Sequence, residues 1–202
     1  MSELEKLSRR EFLQKTGVAS GGLVFAMTLG YPRSAAGAGN VAPNVYVNIR
    51  DDDIVEIYCH RSEMGQGIRT SLPQVIADEL EADWERIELL QAPGDPKYGD
   101  QNTDGSTSIR KHFDLLRIAG ASAREMLVAA AAMEWGVPVA ELVARNHAVH
   151  HETSGRSAAY GDLVASAAEL EVPEDVTFKN PADYRYIGKP MDLIDGQAMT
   201  TG

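Results

Sequence analysis

The chain has 202 residues, 44% of them hydrophobic, enough apolar material for the core of one ordinary domain or of one domain with a small appendage. Its formal net charge of −11 argues against sequence-independent DNA or RNA binding, which needs a surplus of Lys and Arg against the phosphates, so no nucleic-acid partner is expected. Cys59 is the only cysteine, which excludes an internal disulfide and any cysteine-rich zinc site or iron–sulfur cluster held by this chain alone.

At the N-terminus, Arg9 and Arg10 precede Phe12 and Leu13, and Lys15 leads into a moderately apolar stretch from Val18 to Leu29, diluted by Gly21 and Gly22. The stretch is shorter than the roughly 20 apolar residues a bilayer span requires. Ala36 and Ala38 then offer an A-x-A cleavage pattern. Residues 1–38 are expected to be a twin-arginine signal peptide, which makes the protein periplasmic, with no stable membrane span after cleavage. The alternatives are a basic N-terminus of a cytosolic protein or an uncleaved anchor. Because the twin-arginine route moves folded proteins, often with a cofactor already inserted, the signal also raises the expectation of a cofactor.

Beyond Pro43, Val45, Val47 and Ile49 alternate with Tyr46 and Asn48, Asp51–Asp53 form a polar turn, and Val55, Ile57 and Cys59 alternate again. This is a hairpin over 45–60, with a solvated tip favoured over a calcium loop because no further acidic ligands follow at the required spacing. Leu72, Val75, Ile76 and Leu80 then mark one face of a helix near 71–83, with Asp78, Glu79 and Glu81 facing away. Ser71 and Gln74 resemble a capping box, with Pro73 in the first turn, so the helix is expected to start near Ser71. The next strand is read at 86–91.

Between that hairpin and that helix lies Met64-Gly65-Gln66-Gly67. Two glycines let a backbone approach a bound group closely, and a helix starting just afterwards presents unpaired N–H donors. The Gln66 amide offers a donor and an acceptor but is poor as a nucleophile or base. On spacing alone this remains an ordinary turn or a polar-ligand loop. The stretch Ala92–Ile109 is long for a connection, and its end, Gly105-Ser106-Thr107-Ser108, places three hydroxyls before a strong helical pattern over 109–134. Arg110 in the first turn of that helix opposes the dipole preference for negative charge; it either answers a nearby anion or points into water. The helix is Ala-rich and small-faced, which allows close packing, and ends near Gly136 and Pro138. A short helical turn, a hairpin around 153–155 and a second helix over 160–170 follow. His147, His150 and His151 are read as surface histidines rather than metal ligands, since on a strand His150 and His151 point to opposite faces. From Val172 the chain is irregular and punctuated by proline.

"RSEMGQGIRTSLPQVIADELEADWERIEL", "NTDGSTSIRKHFDLLRIAGASAREML", "SGRSAAYGDLV" and "DYRYIGKP", in that order, resemble the opening part of the large, molybdopterin-binding subunit of xanthine oxidase-family molybdenum hydroxylases, of the isoquinoline 1-oxidoreductase beta-subunit or periplasmic aldehyde dehydrogenase type. The resemblance implies an α+β fold, a mixed sheet with packed helices forming part of a molybdopterin-binding domain. It implies that Met64, Gly65, Gln66 and Gly67 touch the molybdopterin, that Gly105, Ser106, Thr107, Ser108 and Arg110 lie against the same cofactor, and that no side chain here binds molybdenum directly. The implied reaction hydroxylates an aldehyde or N-heterocycle with oxygen from water, two electrons leaving through an iron–sulfur subunit.

Subunits of that type run several hundred residues further and carry their catalytic glutamate near the far end, so the resemblance assigns no catalytic residue here, and Glu63 is not that base. The expected organisation is a signal at 1–38, a partial cofactor-binding domain at 39–171 and an irregular linker at 172–202 toward a missing substrate domain. The remaining part of the large subunit would be a partner, and the chain inactive alone. The alternative is a small exported binding or assembly module that kept the fold without the chemistry.

Overall fold

The computed structural model describes residues 40–201, so the expected signal peptide lies outside the described residues. A four-stranded sheet is formed by β1 (Asn40–Asn44), β2 (Val47–Arg50), β3 (Val55–Cys59) and β4 (Ile87–Gln91) in that order. The first three strands are antiparallel and β4 joins β3 in parallel, pairing Val55 with Ile87 and Cys59 with Gln91. The parallel pair requires a crossover, supplied by helix α1 (Ile68–Leu80). Helix α2 (Ser108–Trp135) packs against α1 and the sheet. A second, antiparallel sheet of β5 (Leu142–Arg145), β6 (Ala148–His151) and β7 (Arg156–Ala159) follows, then the short helices α3 (Val164–Ala167) and α4 (Gly196–Thr201). The mixed sheet with packed helices is thus present.

Val47, Ile49, Val55, Ile57 and Cys59 are buried on one face, as the alternation predicts. Residues 45–46 instead form the turn out of β1, a strand the sequence reading lacked, and the turn drives Tyr46 inward, where its hydroxyl donates to the Tyr98 carbonyl. The small face of α2 has the consequence anticipated for it. A Cβ at Gly120 would lie 2.5 Å from the Ile76 carbonyl oxygen, so α1 and α2 cross with backbones nearly in contact.

Several expectations need correction. Helix α1 begins at Ile68, not Ser71, and ends at Leu80 because Glu81 takes the left-handed conformation (φ 60°). Ser71 therefore lies inside the helix, its hydroxyl donating to the Gly67 carbonyl, and the capping box does not form. Asp78 and Glu79 are fully buried rather than facing solvent. The tail covers them: Asp78 accepts the N–H groups of Arg185, Tyr186 and Ile187 and the Lys179 ammonium, while Glu79 pairs with Arg117 and Arg124. The tail, read as an irregular linker over 172–202, carries a 3₁₀ turn at Pro181–Asp183 and the helix α4 at Gly196–Thr201, and its stretch 179–187 is anchored on this chain's own helices. The helix expected over 160–170 shrinks to a 3₁₀ turn at Gly161–Leu163 followed by α3.

The histidines differ as well. His147 and His151 are 1% and 5% exposed, so they are not surface residues. Asn146 and His147 both have positive φ (50° and 65°) and make the two-residue turn between β5 and β6, a hairpin the sequence reading missed. The His147 ring fixes that turn against the first sheet: Nδ1 accepts from the Asp83 N–H and Nε2 donates to the Asp53 carbonyl, each at 3.0 Å. The hairpin tip is correspondingly less solvated than expected, since Asp53 also receives the Gly161 N–H and pairs with Arg86. No helix among the described residues is long and apolar enough to cross a membrane.

Candidate functional site

The stretch 60–67 leaves β3 and turns sharply into α1. Gly65 and Gly67 have φ of +94° and +81°, values an L side chain resists, and a Cβ at Gly67 would also meet Leu193 at 2.9 Å. The donors expected to be open at this helix start are filled from within. Glu63 accepts from the N–H groups of Gly65, Gly67 and Arg69 at 2.7–2.9 Å. Partial burial pushes the Glu63 carboxyl up, but these backbone donors outweigh it and hold the group below the usual carboxylate range. That bonding makes Glu63 a cap rather than a base. The Gln66 amide is also turned onto its own loop, accepting from the Met64 N–H and donating to the Ser62 carbonyl. What remains outward is one amide hydrogen and one lone pair of Gln66, the bare Gly65 surface, and the Met64 side chain, 68% exposed.

The second turn is built differently. Gly105 and Ser106 have φ of +50° and +54°, and Thr107, which precedes α2, makes no capping bond; its hydroxyl donates back to the Asp104 carbonyl. The first-turn N–H groups of this 28-residue helix therefore have no side-chain cap. Thr107 and Ser108 are buried, while Gly105, Ser106 and Arg110 are exposed.

The two turns share a root. Ser62 donates its N–H to the Thr103 hydroxyl at 2.9 Å and accepts from the same hydroxyl at 3.1 Å. Beneath them, the buried Arg61 reaches Asp100 and His112, and the His112 ring meets that of His60 at 4.7 Å between centroids. Burial pushes His60 down to about 3, with His112 and Arg61 adding to the effect. His112 is lowered by burial and then by Arg61, which keeps it neutral. Its Nδ1 lies 3.1 Å from the Ser108 carbonyl, which can only accept, so Nδ1 carries the proton and Nε2 accepts from Arg61.

The turn containing Met64, Gly65, Gln66 and Gly67 and the turn containing Gly105, Ser106, Thr107 and Ser108 are thus tied together at their bases, with Arg110 one helical step beyond the second. Sequence reasoning missed Arg61, Ser62, Asp100, Thr103 and His112, the groups that do the tying. An Arg beside a strand end carries no local signal of burial; the acidic Glu63 just before a Gly-x-Gly turn is the one cue that could have shown a self-capped helix. A groove of about 870 Å³ lies elsewhere, lined by Glu81, Arg124, Val128, Leu142 and Thr177 among others, none of them in either turn.

These residues fit a polyanionic pterin. The second turn offers uncapped helix donors, the Ser106 hydroxyl and the Arg110 cation. The first offers a polar amide edge and a surface without side chains. No group of three or more His, Cys, Asp or Glu residues placed to hold a metal occurs among the described residues.

Comparison with known proteins gives the family. The chain is 40% identical over 183 residues to the beta subunit of isoquinoline 1-oxidoreductase from Brevundimonas diminuta, matching 85% of this chain and 23% of that protein. It is 32% identical over 176 residues to the membrane-bound aldehyde dehydrogenase [pyrroloquinoline-quinone] of Gluconacetobacter polyoxogenes, covering 84% of this chain and 22% of that one. With a nicotinate dehydrogenase subunit from Pseudomonas putida it shares 28% identity over 203 residues, 96% of this chain and 17% of that one. The chain thus spans about a fifth of the length of the curated relatives it matches. Residues 2–197 match the molybdopterin cofactor-binding domain, and the chain belongs to that family.

Proposed function

We propose that this chain is the N-terminal portion of a molybdenum hydroxylase large subunit and that its turns at 62–67 and 103–108 help to hold molybdopterin for the oxidative hydroxylation of an aldehyde or N-heterocycle. The observation that carries the proposal is the joining of the two turns through Ser62 and Thr103, which puts an uncapped helix terminus beside a glycine surface. When bound, the cofactor supplies the two-electron redox chemistry. The chain's residues bind and orient it: the α2 donors, Ser106 and Arg110 meet its anionic groups, while Gln66 and Met64 flank it. Glu63 moves no proton and holds the first turn in shape.

Two turns enclose only one wall of such a site, so the remaining part of the large subunit is the first partner. An iron–sulfur subunit is the second proposed partner: Cys59 alone cannot hold a cluster, and the isoquinoline 1-oxidoreductase and nicotinate dehydrogenase chains that this one resembles are named as single subunits of larger assemblies. Arg9 and Arg10, the apolar stretch after them and Ala36/Ala38 support export to the periplasm by the twin-arginine route.

The test is to produce the chain with the remaining large-subunit sequence of a relative and measure molybdenum content, pterin fluorescence and dye-linked oxidation of aldehydes and isoquinoline. Molybdenum and pterin together, with turnover that disappears on loss of the metal, support the proposal. A quinone extracted in their place, or a stable assembly that never acquires metal, defeats it; the latter outcome identifies a binding module without catalysis.

A further inference from the structure

Arg61 is a charged residue whose side chain is completely buried, two positions past the end of β3. Its contacts run through one nitrogen: Nη2 lies 3.2 Å from Asp100 Oδ2 and 3.3 Å from His112 Nε2. Nε and Nη1 have no hydrogen-bond partner among the described residues. An unsatisfied buried donor is a net cost, and buried ion pairs can often be replaced by apolar side chains of similar size without loss. Stability therefore does not account for a guanidinium here. Its placement does: the Arg61 backbone belongs to the root of the first turn, Asp100 belongs to the base of the second, and His112 clasps the carbonyl of Ser108 at the start of α2.

We infer that Arg61 is a positioning residue that sets the spacing of the two turns, gripping the base of one from the root of the other. Its meaning for cofactor capture rests on the proposed function; the coupling of the turns does not. Loss of the guanidinium releases Asp100 and His112 together, so both turns loosen although only one of them contains the altered residue.

The experiment follows amide hydrogen exchange in the full chain, without cofactor, for Arg61→Met, Arg61→Lys and Asp100→Ala. In Arg61→Met, exchange is expected to rise about tenfold in both 62–66 and 100–108, while the thermal midpoint stays level or rises. Arg61→Lys, which can place one cation near the position of Nη2, is expected to recover most of the protection in both turns. Faster exchange in one turn alone, or no recovery with lysine, overturns the inference. Should Arg61→Met fail to fold, Asp100→Ala decides: its carboxylate is half exposed, and its loss must loosen 62–66 across the gap as well as its own turn. Molybdenum and pterin content of the completed large subunit is read in parallel. Absent cofactor in the unaltered protein defeats the proposed function and leaves the exchange result standing.

Discussion

At the start of α1, three backbone N–H groups close onto the carboxylate of Glu63, whereas at the start of α2 Thr107 turns its hydroxyl back to Asp104 and no side chain caps the helix. Both starts are preceded by residues with positive φ and both read, in sequence, as glycine-containing loops before a helix. The difference shows that such a loop is not by itself an anion site. A helix terminus whose donors are already filled by an internal carboxylate offers shape and bare surface, while an uncapped one offers its dipole and its N–H groups. In the proposed site the two ends would therefore have different jobs, recognition of charge at α2 and close approach at α1.

The comparison breaks most completely if α1 itself is released. Asp78→Ala removes a buried carboxylate that holds three N–H groups of the tail and the Lys179 ammonium, and should cost about 3–5 kcal/mol in chemical denaturation, since three tail N–H groups lose their acceptor and Lys179 keeps only Glu81 as its carboxylate partner.

Acid acts on the shared root next. His60 is buried with neither ring nitrogen hydrogen-bonded among the described residues, and it faces His112, Arg61 and the Tyr46 ring, with Asp100 the nearby carboxylate. Its folded value of about 3 lies below the unfolded 6.5, so the unfolded chain takes up the proton first. Stability is full above pH 6.5 and falls as the pH drops toward 3, by about 1.4 kcal/mol per unit at the steepest. Denaturation midpoints measured from pH 7 to 4 should show this slope, and His60→Phe should flatten it; an unchanged slope assigns the acid loss to His112 and His147, whose folded values are likewise lowered, with Glu63 and Asp78 acting only at lower pH.

Glu63→Ala turns the first start into an uncapped one. It should destabilise the chain by about 1–3 kcal/mol and speed amide exchange at 65–69 more than elsewhere. The smallest effect comes from the reverse change. Ser106→Asp puts a carboxylate at the α2 end, in a left-handed position that Asp tolerates, and should add about 0.3–1 kcal/mol of stability while lowering molybdenum retention in the completed large subunit. Higher stability with unchanged retention would show that the α2 donors do not meet the cofactor.

The apolar periods of β2, β3 and α2 were legible because each sets one face against a core that any fold of this chain must have. The polar side of α1 was not, since burial of Asp78 and Glu79 depends on cations more than thirty residues away: Lys179 in the tail, and Arg117 and Arg124 on α2. The histidines went astray for the same reason. His147 is buried because a hairpin turn lands on Asp53 and Asp83, contacts no local pattern encodes.

By itself the sequence determined the α+β fold class, the lack of self-held cysteine clusters, the family, and the two turns that carry its motifs, because these follow from side-chain period, cysteine count and local glycine chemistry. Tertiary structure alone decided that the turns meet at Ser62 and Thr103, that Arg61 reaches Asp100 and His112 from the root of the first turn, and that one helix start is closed by Glu63 while the other stays uncapped. Those outcomes depend on which donors and acceptors distant segments bring together, and a donor's availability is settled only when every neighbour that could fill it is in place.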